Sequence, residues 1–212
     1  MTKVQVCGIR TLEDALICEK ADADSLGFVN VEGRARSISL DNIKNIIGGI
    51  GPMTLSTLIG FPKNSEEIIK KADFVGADAV QIYTLDTNEL ERVKDCGFRV
   101  YRAVSIDIET GKLEVSVEDL DSFAEACDMI VFEPSLNKIT GGLGLQYNYE
   151  GMLIPYINYC RRFGIAGGLN PQNVEIALKI RPYSVDVSSG VESKLGAKSE
   201  EKIIEFIKRC KN

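Results

Sequence analysis

One feature constrains this chain more than any other: short apolar runs followed, again and again, by stretches with helical periodicity. KVQV leads into TLEDALICEKAD, SLGFV into SLDNIKNIIG, MTLSTLIG into NSEEIIKKADF, and DAVQIY into TNELERVKDCG. FRVYRAV then precedes VEDLDSFAEAC, MIVFE precedes YEGMLIPYINYC, FGIAGG precedes NPQNVEIALKI, and YSVDVSSG precedes SEEKIIEFIKRC. Helix-start chemistry marks several boundaries. Thr11 stands at an N-cap position with Asp14 three residues on, Ser39 can cap the next helix and Gly48 can stop it. The fifth unit carries a longer loop or small hairpin around Thr110–Gly111. Eight strand-then-helix units imply parallel strands joined by right-handed crossovers. Such a chain closes as a barrel or opens as a doubly wound sheet. Eight near-equal units without a linker favour one α/β domain over residues 1–212, a (β/α)8 TIM barrel near the short end of its usual length.

In such a barrel, chemistry sits where strands end and βα loops begin. The candidates at those positions are Cys7, Asn30, Thr57, Gln81 or Tyr83, Arg102, Glu133, the Gly167–Gly168 pair, Asp186, and Ser188–Ser189–Gly190. The chain has no histidine, so proton transfer falls to carboxylates, thiols, amines or phenols. A net charge of -6 argues against nucleic acid as a partner, since phosphate-tracking surfaces are basic. Six scattered cysteines without a CxxC pair suggest neither a zinc site nor a disulfide framework. No leader pattern and no long apolar run is present, which predicts a cytoplasmic protein with no membrane partner.

Two glycine-bearing loops fall together in this scheme. AGGLNPQN couples Gly167, Gly168 and Leu169 to a helix start, with Asn170 as the expected N-cap and Pro171 at the first helical position. Bare glycine backbone lets amides approach an anion closely. VDVSSGVES places Ser188, Ser189 and Gly190 after the eighth strand, and SGVES can supply a short extra helix. Loops seven and eight form a recurrent phosphate site in this fold, so the expected ligand is a phosphorylated small molecule. No P-loop lysine accompanies them, which disfavours a nucleoside triphosphate.

VQVCGIRTLEDA, ADSLGFV, IAGGLNPQNV and RPYSVDVSSGVES, in this order and spacing, resemble the matching blocks of the phosphoribosylanthranilate isomerase family of tryptophan biosynthesis. The resemblance implies the (β/α)8 barrel and an Amadori rearrangement of an aminoaldose, N-(5-phosphoribosyl)anthranilate, to an aminoketose. It implies no cofactor and no metal. It assigns Cys7 as the general base, and Glu133 aligns with the family's strand-six acid, normally an aspartate. Arg36, in RARSIS, falls where the family has an arginine, and a guanidinium fork suits the anthranilate carboxylate. Arg102 is a reserve for that role. Gln81 and Asp186 match family positions as substrate-binding residues, with Asp186 a competitor for the role of acid.

Departures cluster at strands four and six. Tyr83 stands where the family has histidine, Glu133 where it has aspartate, and loop six reads GGLGLQYN, with Leu145 and Gln146 replacing a lysine and a threonine. The longer glutamate side chain moves its carboxyl by on the order of 1 Å, a displacement that matters to catalysis when uncompensated. Two other readings therefore stay open. One is a sugar-phosphate isomerase of altered substrate; the other is a non-catalytic paralogue that binds a phosphorylated ligand.

Overall fold

A computed structural model describes residues 1–137, 139–140 and 144–211. Its barrel strands are β1 (Lys3–Cys7), β2 (Ser25–Val29), β3 (Leu55–Gly60) and β4 (Ala79–Ile82), then β5 (Arg99–Asp107), β6 (Met129–Leu136), β7 (Phe163–Ala166) and β8 (Ser184–Val187). The helices that follow them are α1 (Leu12–Lys20), α2 (Leu40–Ile47), α3 (Ser65–Val75), α4 (Thr87–Asp95), α5 (Val117–Ala126), α6 (Tyr149–Ile157), α7 (Val174–Leu178) and α8 (Glu200–Lys211). Neighbouring strands pair in parallel, β8 returns to β1, and β5 pairs with β6, so the sheet closes on itself. The expected (β/α)8 barrel is the observed fold. Among the described residues no helix is long and apolar enough to cross a membrane.

The alternation of strand side chains sorts the sequence into two interiors. Val4, Val6, Leu26, Phe28, Leu58, Val80, Ile130 and Val185 belong to the main core, which they share with Ile43, Ile68, Leu90, Leu120 and Phe206 of the helices. Side chains of opposite parity fill the barrel itself. Part of that filling is apolar, around Met129, Val131 and Ala166 with Tyr101 packed against them. The rest is a polar layer of Gln5, Ser25, Thr57 and Gln81, all buried. Such groups are tolerated because they satisfy one another. Ser25 Oγ donates to Gln5 Oε1 at 3.1 Å and lies 2.9 Å from Thr57 Oγ1, while Gln5 Nε2 donates to Gln81 Oε1 at 3.1 Å.

The helix-start signals act as expected at Thr11 and Ser39, whose hydroxyls accept from the Asp14 and Asn42 amides at 3.1 and 3.3 Å. Gly48 closes α2. The loop after β5 is the small hairpin expected around Thr110–Gly111, with the Asp107 amide donating to the Lys112 carbonyl at 2.9 Å. Two boundaries differ. The helix expected to start at Asn170 starts at Val174, because residues 171–173 form a turn. Asn170 nevertheless organises that turn: its Oδ1 accepts from the Gln172 amide at 2.9 Å and its carbonyl from the Val174 amide at 3.1 Å. Strand six also runs past Glu133 to Leu136, since Ile139–Thr140 folds back and pairs antiparallel with its end. Gly141, Gly142 and Leu143 of the loop-six motif lie outside the described residues.

Candidate active site

At the C-terminal end of the barrel, a cavity of about 350 Å³ is bordered by the ends or following loops of seven strands. Cys7, Glu133 and Asp186 all line it, from β1, β6 and β8. Gly167, Gly168, Leu169, Ser188 and Ser189 form another part of its wall, and Arg34 and Arg36 reach it from the loop after β2. The strand register explains the first grouping. Gln5 lies opposite Asp186, two residues below Cys7 on the same face of β1, so thiol and carboxyl point into the same space from neighbouring strands.

The electrostatics follow from burial. The Cys7 thiol is pushed well above its ordinary range, first by desolvation and then by the Asp186 charge, with Lys198 pulling the other way. Asp186 is raised to about 7, chiefly by burial and then by the charge on Glu133. Gln5 Nε2 donates to its Oδ2 at 3.1 Å, while among the described residues Oδ1 has no hydrogen-bond partner. Glu133 accepts from the Tyr83 hydroxyl at 2.5 Å. Burial first, then the Glu133 charge, holds the Tyr83 phenol protonated far above its usual range. Tyr83 stacks on Phe61, with ring centroids 4.2 Å apart and planes 12° from parallel, and the Arg34 guanidinium lies 5.6 Å from the Phe61 centroid. With Val29, Val31 and Ile59, these rings give the cavity an apolar flank.

Loops seven and eight are locked together. Gly167 has φ +94°, and a Cβ there would fall 2.1 Å from Pro134 Cδ, the residue after Glu133. At Gly190 a Cβ would fall 1.9 Å from the Leu169 carbonyl oxygen, so only glycine lets the two loops touch. The short helix expected in SGVES is a 3-10 turn, Ser189–Val191. Ser188 Oγ is buried and, among the described residues, unpartnered beside the cavity. Tyr149 of α6 donates to the Gly167 carbonyl at 2.9 Å, which fixes loop seven from behind.

Five candidates stand elsewhere, among them Thr57 in the inner polar layer and Asn30, whose Nδ2 donates to the Ile38 carbonyl at 3.0 Å. Gln81 faces the barrel interior rather than the cavity wall; it lines a second, inner cavity of about 190 Å³ with Gln5, Ser25 and Asp186. Gly190 backs onto Leu169 rather than lining the space. Arg102, held in reserve for a carboxylate, has the outward parity on β5. Its Nη1 donates to the carbonyls of Tyr83 and Ala103, both at 2.5 Å, and its guanidinium lies 4.6 Å from the Phe123 centroid. It braces the Tyr83 backbone from the helix layer and does not reach the cavity. Arg36 does line the cavity, with its fork engaged: Nε and Nη2 donate to Glu192 at 2.7 and 2.9 Å. The motifs did not single out Gln5, Phe61, Glu192 or Lys198. Gln5 shares the parity of Cys7 and was readable; the other three meet the site only through folding.

The comparisons agree with this geometry. The profile of the family N-(5'phosphoribosyl)anthranilate (PRA) isomerase matches residues 4–209. The chain is 34% identical to the N-(5'-phosphoribosyl)anthranilate isomerase of Geotalea uraniireducens, covering 100% of this chain and 99% of that one. It superposes on the phosphoribosyl anthranilate isomerase of Thermotoga maritima with a TM-score of 0.85 at 30% identity, covering 100% and 99% of the two chains. A second solved isomerase, TM-score 0.82 and 28% identical over 100% and 99% of the chains, is in complex with reduced 1-(o-carboxyphenylamino)-1-deoxyribulose 5-phosphate. With eight βα units, two interlocked glycine loops and a strand-one thiol facing two carboxyls, the chain belongs to the N-(5'-phosphoribosyl)anthranilate isomerase family.

Proposed function

We propose that this cavity isomerises N-(5'-phosphoribosyl)anthranilate to the corresponding 1-deoxyribulose 5-phosphate, with Cys7 as general base and Glu133, paired with Asp186, as general acid. One observation carries the assignment: a partly buried thiol, a partly buried carboxyl and a buried one face one cavity whose wall includes both glycine loops. Loops seven and eight, with the Ser188 hydroxyl, take the phosphate. Phe61 and Tyr83 flank the aryl ring, and Arg36, held by Glu192, faces its carboxylate.

The chemistry needs one proton given and one removed. Protonation of the ribose ring oxygen opens the ring to a Schiff base, and the thiolate then takes the proton from sugar C2, leaving an enolamine that tautomerises to product. Burial and the neighbouring Glu133 charge raise Asp186 to about 7, so Asp186 retains a proton near neutrality. In this reading Asp186 passes that proton to Glu133, which delivers it to the ring oxygen, and the Tyr83 hydroxyl orients Glu133. The unthreatened free thiols suit a reducing cytoplasm.

Turnover of the aminoaldose, followed as loss of anthranilate-adduct fluorescence, tests the reading. Cys7→Ser should lower kcat by about 10²–10⁴-fold without weakening substrate binding. Glu133→Gln should do the same, whereas Asp186→Asn should act more on KM. A Glu133→Gln variant at full rate, with Asp186→Asn inactive, transfers the acid role to Asp186. A folded wild-type protein without turnover overturns the function.

A further inference from the structure

The hairpin after loop eight carries a buried ionic knot, one member of which, Lys198, the mechanism above leaves unused. Lys198 lies on its second strand, 191 positions from Cys7, with a side chain 0% exposed. Its ammonium donates to the Cys7 carbonyl at 2.6 Å and to the Ser188 carbonyl at 3.1 Å, and stands 3.4 Å from Glu192 Oε1. Three donors thus meet three oxygens, as a fully buried ammonium requires. Glu192, 4% exposed, is shared, because it also holds both arms of the Arg36 fork. Burial opposes its charge, but Arg36 and Lys198 outweigh burial and keep it ionised. Two cations and one anion leave a net positive charge behind the strand end that bears the thiol.

We propose that Lys198 is a positioning residue of the reaction, which ties the Cys7 strand end to the phosphate loop and supplies the positive charge that favours the Cys7 thiolate. The inference rests on Cys7 being the base. The groups facing the thiol explain why such a charge is needed. Asp186 on β8 and Glu133 on β6 oppose thiolate formation, and Tyr83 just after β4 is a neutral phenol that feels the same thiol. Burial opposes the thiolate more strongly still, leaving Lys198 and Arg36 as the opposing influence. Lys198 bonds the Cys7 carbonyl directly, and its contact with the Ser188 carbonyl joins base and phosphate grip in one unit. Loss of this single charge therefore acts on the thiol, with a signature that a purely structural lysine does not produce.

The test reads the thiol directly. Iodoacetamide alkylation of Cys7 in the free enzyme, resolved by peptide mass spectrometry, is followed against pH for wild type and Lys198→Gln. Glutamine keeps a donor for the carbonyls and removes the charge. The alkylation midpoint should rise by about one pH unit or more. The kcat should fall about tenfold near neutrality and recover as pH is raised. An unchanged midpoint in a folded Lys198→Gln variant overturns the proposal, as does a kcat deficit that persists at every pH. If Lys198→Gln fails to fold, Glu192→Gln gives the opposite reading: it leaves both cations without their anion, so the midpoint should fall, and an unmoved or raised midpoint overturns the proposal. Because alkylation requires no turnover, a Cys7→Ser variant that stays active removes the base assignment without obscuring the effect of Lys198 on the thiol.

Discussion

Asp186→Asn should make the protein more stable, and increasingly so as pH rises. Asp186 is partly buried between the inner polar layer and the cavity, and desolvation, followed by the Glu133 charge, lifts it from 3.8 to about 7. A carboxyl raised on folding gives its full stability below its unfolded value and loses it as pH rises through the folded value. Linkage over that interval puts the loss at under about 2 kcal/mol by pH 5 and about 4 kcal/mol by pH 8. Asparagine does not titrate and can still accept from Gln5, so the stability gap between variant and wild type should widen by about 2–3 kcal/mol between those pH values. For a chain of this size that corresponds to roughly 5–10 °C in Tm. Urea unfolding of both proteins at the two pH values isolates the group, because every other titration is common to both. In a Glu133→Gln background the widening should shrink, since the neighbouring charge is the second cause of the shift. A gap that stays constant within about 0.5 kcal/mol across this range would refute the argument that Asp186 holds its proton near neutrality.

Two further expectations concern the site itself. Tyr83→Phe keeps the stack on Phe61 but removes the donor to Glu133, so kcat should fall about ten- to a hundredfold with stability nearly unchanged; steady-state kinetics that match wild type would remove Tyr83 from the mechanism. Gly190→Ala drives a methyl into the Leu169 carbonyl and separates loops seven and eight, so inorganic phosphate should inhibit the variant at least about tenfold more weakly, measured as competition with substrate.

What was legible in the sequence was everything set by local periodicity. The two-residue alternation of the strands and the helical patterns between them are properties of short windows, and they predict the barrel, the strand ends and the loops. The same alternation separates Cys7, Glu133 and Asp186, which face inward, from Arg102, which faces the helices and Phe123. Parity was available for Arg102, but an arginine near a strand end reads as functional until its face is counted. The start of α7 was misplaced because Asn170 and Pro171 carry helix-start chemistry that a turn satisfies equally well.

Other features depend on distances between residues remote in sequence. The Tyr83–Glu133 bond spans 50 positions and the Lys198–Cys7 contact 191, and no local pattern encodes either. Arg36 was legible as a guanidinium near the mouth, but its pairing with Glu192 needed the closed barrel to bring loops two and eight side by side. The sequence by itself determined which residue types could move a proton, by omitting histidine, and which strand ends could carry them. Only the tertiary structure decided their protonation. A pKa is set by burial and by the charges within a few ångströms, and both come into being when the strands close.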